Sequence, residues 1–275
     1  MQASSTDGGV ASRDTRFARL VGALAGGAAV GTLGGLIGLG GAEFRLPLLI
    51  GVFGFVALQA VVMNKTMSLV VVISALVFRT REVPVEVLAQ HWPVAVNLLA
   101  GSVVGAWFGA SWATRMSSRT LYRTLSVLLV LIAIVLVFGH ATATADPLLV
   151  GTAQIVAGVI AGFGIGVVAS IMGVAGGELL IPTLVLLFGL DIKTAGSMSL
   201  AVSLPTMLVG ILRYSRSQAF VVIGQNWRFG LVMAIGSVAG AAIGGQLLGV
   251  VPSTILLPLL AVILLISAFK VWRHP

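Results

Sequence analysis

Eight stretches of the chain lack Asp, Glu, Lys, Arg and His: residues 20–42, 46–64, 66–78, 92–114, 124–139, 147–177, 194–212 and 229–269. Most approach or exceed the roughly 20 apolar residues with which a helix crosses a bilayer, so they predict several spans rather than one anchor. The last stretch is too long for one helix, and Gly249, Pro252 and Ser253 predict a turn near its middle. Residues 1–19 are polar and end in Arg13, Arg16 and Arg19 ahead of a Gly-rich apolar run. That run recurs later in the chain, which predicts a retained first span behind a cytoplasmic amino-terminal tail and not a cleaved signal.

A shift of 135 residues, without a gap, superposes much of the pattern on itself. Gly27, Gly31, Gly38, Gly41, Glu43, Pro47, Phe53 and Gly54 meet Gly162, Gly166, Gly173, Gly176, Glu178, Pro182, Phe188 and Gly189. Gln90 and Trp92 meet Gln225 and Trp227, and Gly101, Gly105 and Gly109 meet Gly236, Gly240 and Gly244. Apolar low complexity matches Gly, Leu and Val by chance, but not Glu, Pro, Gln and Trp in one frame. The chain is therefore divided into a tail at 1–19, a first repeat at 20–140, a linker at 141–154 and a second repeat at 155–275. The fold class is an all-α integral membrane protein of two tandem repeats, each with about five hydrophobic segments.

In the first repeat these segments are about 20–37, 46–58, 63–78, 92–113 and 120–138. A 13-residue helix covers only about 20 Å of a roughly 30 Å hydrocarbon core, so the second segment predicts a broken or re-entrant helix after a Gly-rich loop. Five crossings per repeat invert the second repeat relative to the first and put both termini in the cytoplasm. Arg13, Arg16, Arg19, Lys65, Arg115, Arg119, Arg123, Arg213, Arg216, Arg228, Lys270 and Arg273 then fall inside, against Arg45, Arg79, Arg81 and Lys193 outside. The rival is a parallel pair of four-span repeats, which would place the 139–154 linker inside; that linker has no Lys or Arg.

Composition sharpens this picture. Of 275 residues, 58% are hydrophobic and 9% charged, against about 25% charged in soluble domains. The formal net charge of +8 is assigned to cytoplasmic loops, because no basic stripe with interleaved aromatics suggests nucleic acid. There is no Cys, and His91, His140 and His274 are scattered, so disulfides, thiolate sites and metal-ligand spacings are not predicted. No cofactor is implied, and no nucleophile–base or phosphate-loop motif predicts an enzyme or a nucleotide-driven pump.

The chemistry concentrates in Gly38-Leu-Gly40-Gly41-Ala-Glu43-Phe-Arg45-Leu-Pro47 and Gly173-Val-Ala-Gly176-Gly177-Glu178-Leu-Leu-Ile-Pro182. A helix starting just after glycines presents unpaired N–H groups and the positive end of its dipole, which attract an anion. Two such starts facing each other predict a site for a small anion. The glycines at 27, 31, 35, 101, 105 and 109 are instead read as close helix packing. Glu43 and Glu178 either cap their own short helices or carry the proton that drives transport. Lys65, matched by Leu200, either snorkels to the cytoplasmic surface or balances the substrate charge. Asn64, Ser68, Ser197, Ser199 and Ser203 offer amide and hydroxyl groups beside the glycine loops, while Trp92 and Trp227 read as interface anchors.

At these residues the chain resembles the sulfite exporter TauE/SafE family, also called toluenesulfonate uptake permeases. The resemblance is carried by both glycine clusters with their following prolines, and by Ala-Gly-Ser-Met-Ser-Leu at 195–200. It implies a bacterial inner-membrane permease for sulfur-containing anions such as sulfite, sulfoacetate or other sulfonates. Glu43 and Glu178 stand where family members often carry an apolar residue. The function expected is a secondary transporter of such an anion, with proton coupling through Glu43 and Glu178. The alternative is a cation or metal permease that uses both glutamates as ligands. The expected partners are the anion and the lipid bilayer, with homo-oligomerisation left open.

Overall fold

A lone segment in hydrocarbon satisfies its own amides and carbonyls only as a helix, and the apolar runs fold accordingly. The computed structural model describes residues 7–37, 41–79, 85–138, 147–246 and 253–273. Among these, the regular structure is helical and no strand occurs. The tail expected at 1–19 is helical from Asp7, in a helix whose apolar span runs from Arg16 to Gly35. The first half comprises α1 (Asp7–Ile37), α2 (Ala42–Gly51), α3 (Ala57–Arg79), α4 (Val85–Gln90), α5 (Trp92–Ala113) and α6 (Ser118–Phe138). A like order of long and short helices follows in α7 (Thr152–Met172), α8 (Gly177–Phe188), α9 (Ile192–Tyr214), α10 (Val221–Gln225), α11 (Trp227–Gln246) and α12 (Ser253–Trp272). Among the described residues, 7 helices are long and apolar enough to cross a membrane, which makes this a multi-pass membrane protein.

The short helices deviate most from the expected bounds. The segment expected at 46–58 starts at Ala42 and ends at Gly51, so Glu43 and Arg45 lie inside the helix. At 10 and 12 residues, α2 and α8 are about 15 and 18 Å long, too short to span. Both double back. Gly41 lies against the Val30 carbonyl, Leu48 against Gly26 and Phe53 against Gly22, so α2 returns along α1. Gly176 sits against Ile165 and Ala169, and Phe188 against Gly158, so α8 returns along α7.

Long helices pair across the two halves. On α1, Gly27, Gly31 and Gly35 rest on the backbone of Met233, Ser237 and Ala241 of α11, and Gly236 and Gly240 answer against Leu24 and Ala28. The pair α7–α5 uses the same register shifted by 135: Gly162 and Gly166 rest on Leu98 and Ser102, and Gly101 on Val159. Residue numbers rise together in each pair, so these helices run parallel. The expected packing role of the glycines is thus observed, because a Cβ at any of these positions would meet a neighbouring backbone.

In the centre, Lys65 early in α3 faces Gly210 late in α9, and Arg123 early in α6 stacks on Trp272 at the end of α12. Both of those pairs therefore run antiparallel. One end of the bundle gathers Arg19 over Phe55 and Phe229, and Arg213 and Arg216 over Trp107. The other end gathers the start of α5 on that of α7 (Asn97 to the Ile155 carbonyl, 2.9 Å) and Gln154 on the Leu187 carbonyl (2.7 Å).

Candidate functional site

The centre of the bundle holds the starts of the short helices. Gly41 (φ 71°) and Gly176 (φ 86°) precede α2 and α8 in the left-handed region, where a Cβ is disfavoured. The first intrahelical bonds run from Phe44 and Arg45 N–H to the Gly41 carbonyl, and from Leu179 and Leu180 N–H to that of Gly176. Pro47 and Pro182 lack the N–H that an unbroken helix would aim at the carbonyls of Glu43 and Glu178. Each short helix thus starts with free donors and carries a weakened turn just beyond its glutamate.

The two glutamates come together. Glu43 is 1% exposed and Glu178 6%, and their carboxyls lie within direct interaction range of each other. None of their four oxygens has a hydrogen-bond partner, and neither helix start has a side-chain cap. The Glu43 carboxyl interacts with that of Glu178 and also with its own backbone N–H in the first turn of α2.

One buried cation, Arg45, acts on Glu43, and a second, Lys65, is buried against the end of α7. Arg45, counted above among outside charges, is fully buried, interacts with the Glu43 charge and directs Nη1 to Ser68 Oγ at 3.4 Å. Its position inside α2 corrects the loop placement. Lys65 does not snorkel: it is fully buried, with Nζ 3.2 Å from the Ala169 carbonyl and 3.4 Å from Ser170 Oγ. The negative end of the α7 dipole, near Met172, holds it inward.

The remaining expected residues divide by contact. Asn64 Nδ2 reaches the Ala42 carbonyl (2.9 Å) and the Met172 carbonyl (3.3 Å), tying the start of α2 to the end of α7; its Oδ1 has no partner. Ser203 Oγ donates to the Ala175 carbonyl at 2.8 Å, inside the second glycine cluster. Ser197 Oγ is buried without a partner, whereas Ser199 only bonds the Gly196 carbonyl of its own helix. Gly173 closes α7 and lies against the Val61 backbone of α3, and Gly177 is the first residue of α8. Gly38 and Gly40 lie outside the described residues. The sequence reading missed Arg45, Ser170 and Tyr214, whose hydroxyl donates to the Ser170 carbonyl at 2.8 Å. Arg45 had a signal, a charge two residues after Glu43; Ser170 sits in an unremarkable apolar run, and Tyr214 between Arg213 and Ser215 at the end of α9.

This arrangement has the parts of a transport site: a polar cluster buried between interlocked helices, with charges of both signs. The family model for sulfite exporter TauE/SafE matches residues 23–271. Comparisons with curated proteins and with solved structures give no match. Since the match covers nearly the whole chain, the protein belongs to the sulfite exporter TauE/SafE family and is a membrane transporter, not an enzyme.

Proposed function

We propose that the protein moves a small sulfur-containing oxyanion, such as sulfite or an organosulfonate, across a bacterial inner membrane. A site between α2, α3, α8 and α9 is exposed alternately to the two sides. The observation that carries this reading is the burial of Arg45 and Lys65 with two facing glutamates, where two short helices start. Helix starts and buried cations both favour an anion. The two carboxylates oppose it until they take up protons, which links proton and anion movement. Gly41, Gly176 and Gly177 supply backbone donors, and Asn64, Ser68, Ser197, Ser199 and Ser203 flank them.

The halves act as inverted repeats, a build in which one bundle rocks against the other around a central site. The antiparallel crossing of α3 and α9 and the twin glycine registers support it. Both termini face the cytoplasm: Arg19, Arg115, Arg119, Arg213, Arg216, Arg228 and Lys270 lie at one end of the bundle, whereas Lys193 lies at the other. The cation reading is disfavoured by the buried Arg45 that acts on Glu43 and by the second buried cation, Lys65, in the same bundle core.

The test is counterflow in proteoliposomes with labelled sulfite, an organosulfonate and a divalent cation. Saturable sulfite or sulfonate exchange is the expected outcome. Exchange of the cation alone would overturn the anion reading.

A further inference from the structure

Resting on that transport reading, we propose that Glu43 and Glu178 form one proton site, each short helix supplying half, in which a single proton bridges the carboxyls while the site is closed. The two carboxyls are buried and interact with each other, and among the described residues none of their four oxygens is satisfied by a well-formed hydrogen bond, the Glu43 N–H alone acting on its own carboxyl. Two acceptors in contact repel. A proton between them turns the contact into a short, charge-assisted O–H···O⁻ bond and leaves one negative charge beside Arg45. Arg45 compensates one carboxylate and not two, which sets the count at one proton.

Few other charges reach the pair. Of the elements packed on α2, α3 brings Lys65, which is committed to the carbonyl end of α7. The charges of α1 and α12, such as Arg19 and Lys270, sit at exposed helix ends. Around α8, α7 has no charge, while α9 and α6 carry theirs at their termini, as Lys193, Arg213, Arg119 and Arg123. No group of three or more His, Cys, Asp or Glu occurs among the described residues, so the pair is not part of a metal cluster.

The mechanism follows from the halves. The bridging proton holds α2 to α8; it enters from water with the anion on one side and returns to water on the other when the two helices separate. Because the site needs both carboxyls, replacing either one removes it. In Glu43→Gln the amide donates to the Glu178 carboxylate, and the proton is no longer needed.

The experiment uses the full chain in liposomes. Accumulation driven by an acid-outside gradient is measured against each variant's own sulfite counterflow. Glu43→Gln, Glu178→Gln and the double variant should each lower that ratio about tenfold, within the usual range of coupling factors, with the double no worse than either single. An unchanged ratio in any variant, additive losses, or accumulation driven by a Na⁺ gradient at constant pH would overturn the shared site. Infrared titration of the purified protein decides the same point without transport. A protonated buried carboxyl, absent from each Gln variant, is expected, and identical spectra sink the proposal. Wild-type protein without anion counterflow but with that carboxyl would reject the transport reading and leave the proton site standing.

Discussion

Lys65 shows how much one buried side chain depends on its surroundings. Moving an ammonium into the interior is costly, and here only one carbonyl, one hydroxyl and a helix terminus offset it. Lys65→Met removes a positive charge while keeping volume, and under the transport reading the apparent Km for sulfite rises at least about tenfold, some 1.4 kcal/mol. An unchanged Km in counterflow would assign Lys65 to packing alone. Asp191 is a simpler case outside the spans. Its carboxylate accepts from Lys193 and Thr194 N–H at the start of α9, and hydrogen bonding with Thr194 holds it below its ordinary value. A lowered folded value means the contribution is present above the ordinary carboxylate range and is lost as pH falls through the lowered value. Asp191→Ala should cost about 1 kcal/mol near neutrality, whereas Asp191→Asn keeps the cap and loses its acid sensitivity. Thermal unfolding across pH checks both. At this scale the sequence marked Glu43 and Glu178 as costly to bury. It did not reveal whether Lys65 turned inward, because a lysine eight residues into a helix can point either way.

Helix pairs are the level at which the glycines act. Gly31 and Gly166 lie on the backbones of Ser237 and Ser102, so a single methyl there forces α1 from α11, or α7 from α5. Gly164, on the same helix as Gly166, has nothing within reach of a Cβ. Gly31→Ala and Gly166→Ala should each lower stability by roughly 1–3 kcal/mol, as overpacking does, while Gly164→Ala should not. Melting in detergent separates them, and equal effects at all three positions would remove the packing account. The four-residue glycine spacing was legible because α-helical periodicity alone puts those positions on one face. Which helix each face meets was not: α1 pairs with α11, Gly27 lying on Met233, and α7 with α5, Gly162 lying on Leu98, so the partners are far apart in the chain. Local pattern carries no such pairing. The ends of α2 were misjudged for a related reason. A hydrophobicity reading stops at Glu43 and Arg45, whereas the helix includes both, the attraction between their charges and the Arg45 contact with Ser68 offsetting part of the cost of burial.

At the scale of the molecule, the charge distribution fixes which end of the bundle faces the cytoplasm under the proposed topology. Without a native cysteine, the chain suits single-cysteine labelling. Ser117→Cys and Ser215→Cys lie exposed at the arginine-rich end, Leu149→Cys and Thr152→Cys at the other. In intact cells an impermeant maleimide should label the second pair and spare the first, and the reverse pattern would invert the topology. Composition alone determines that this chain lives in a membrane, since a surface with 9% charged residues is too poor in charge for water and helices are what hydrocarbon permits. Element positions, glycine faces and the cost of two interior glutamates are also local properties, and the sequence by itself determined them. The tertiary structure decided what those residues meet. It set the two glutamates against each other, drew Arg45 and Lys65 inward and interlocked the halves through distant helices. Contact between residues 135 apart depends on how helices cross, and crossing is decided by packing across the whole bundle, not by any one segment.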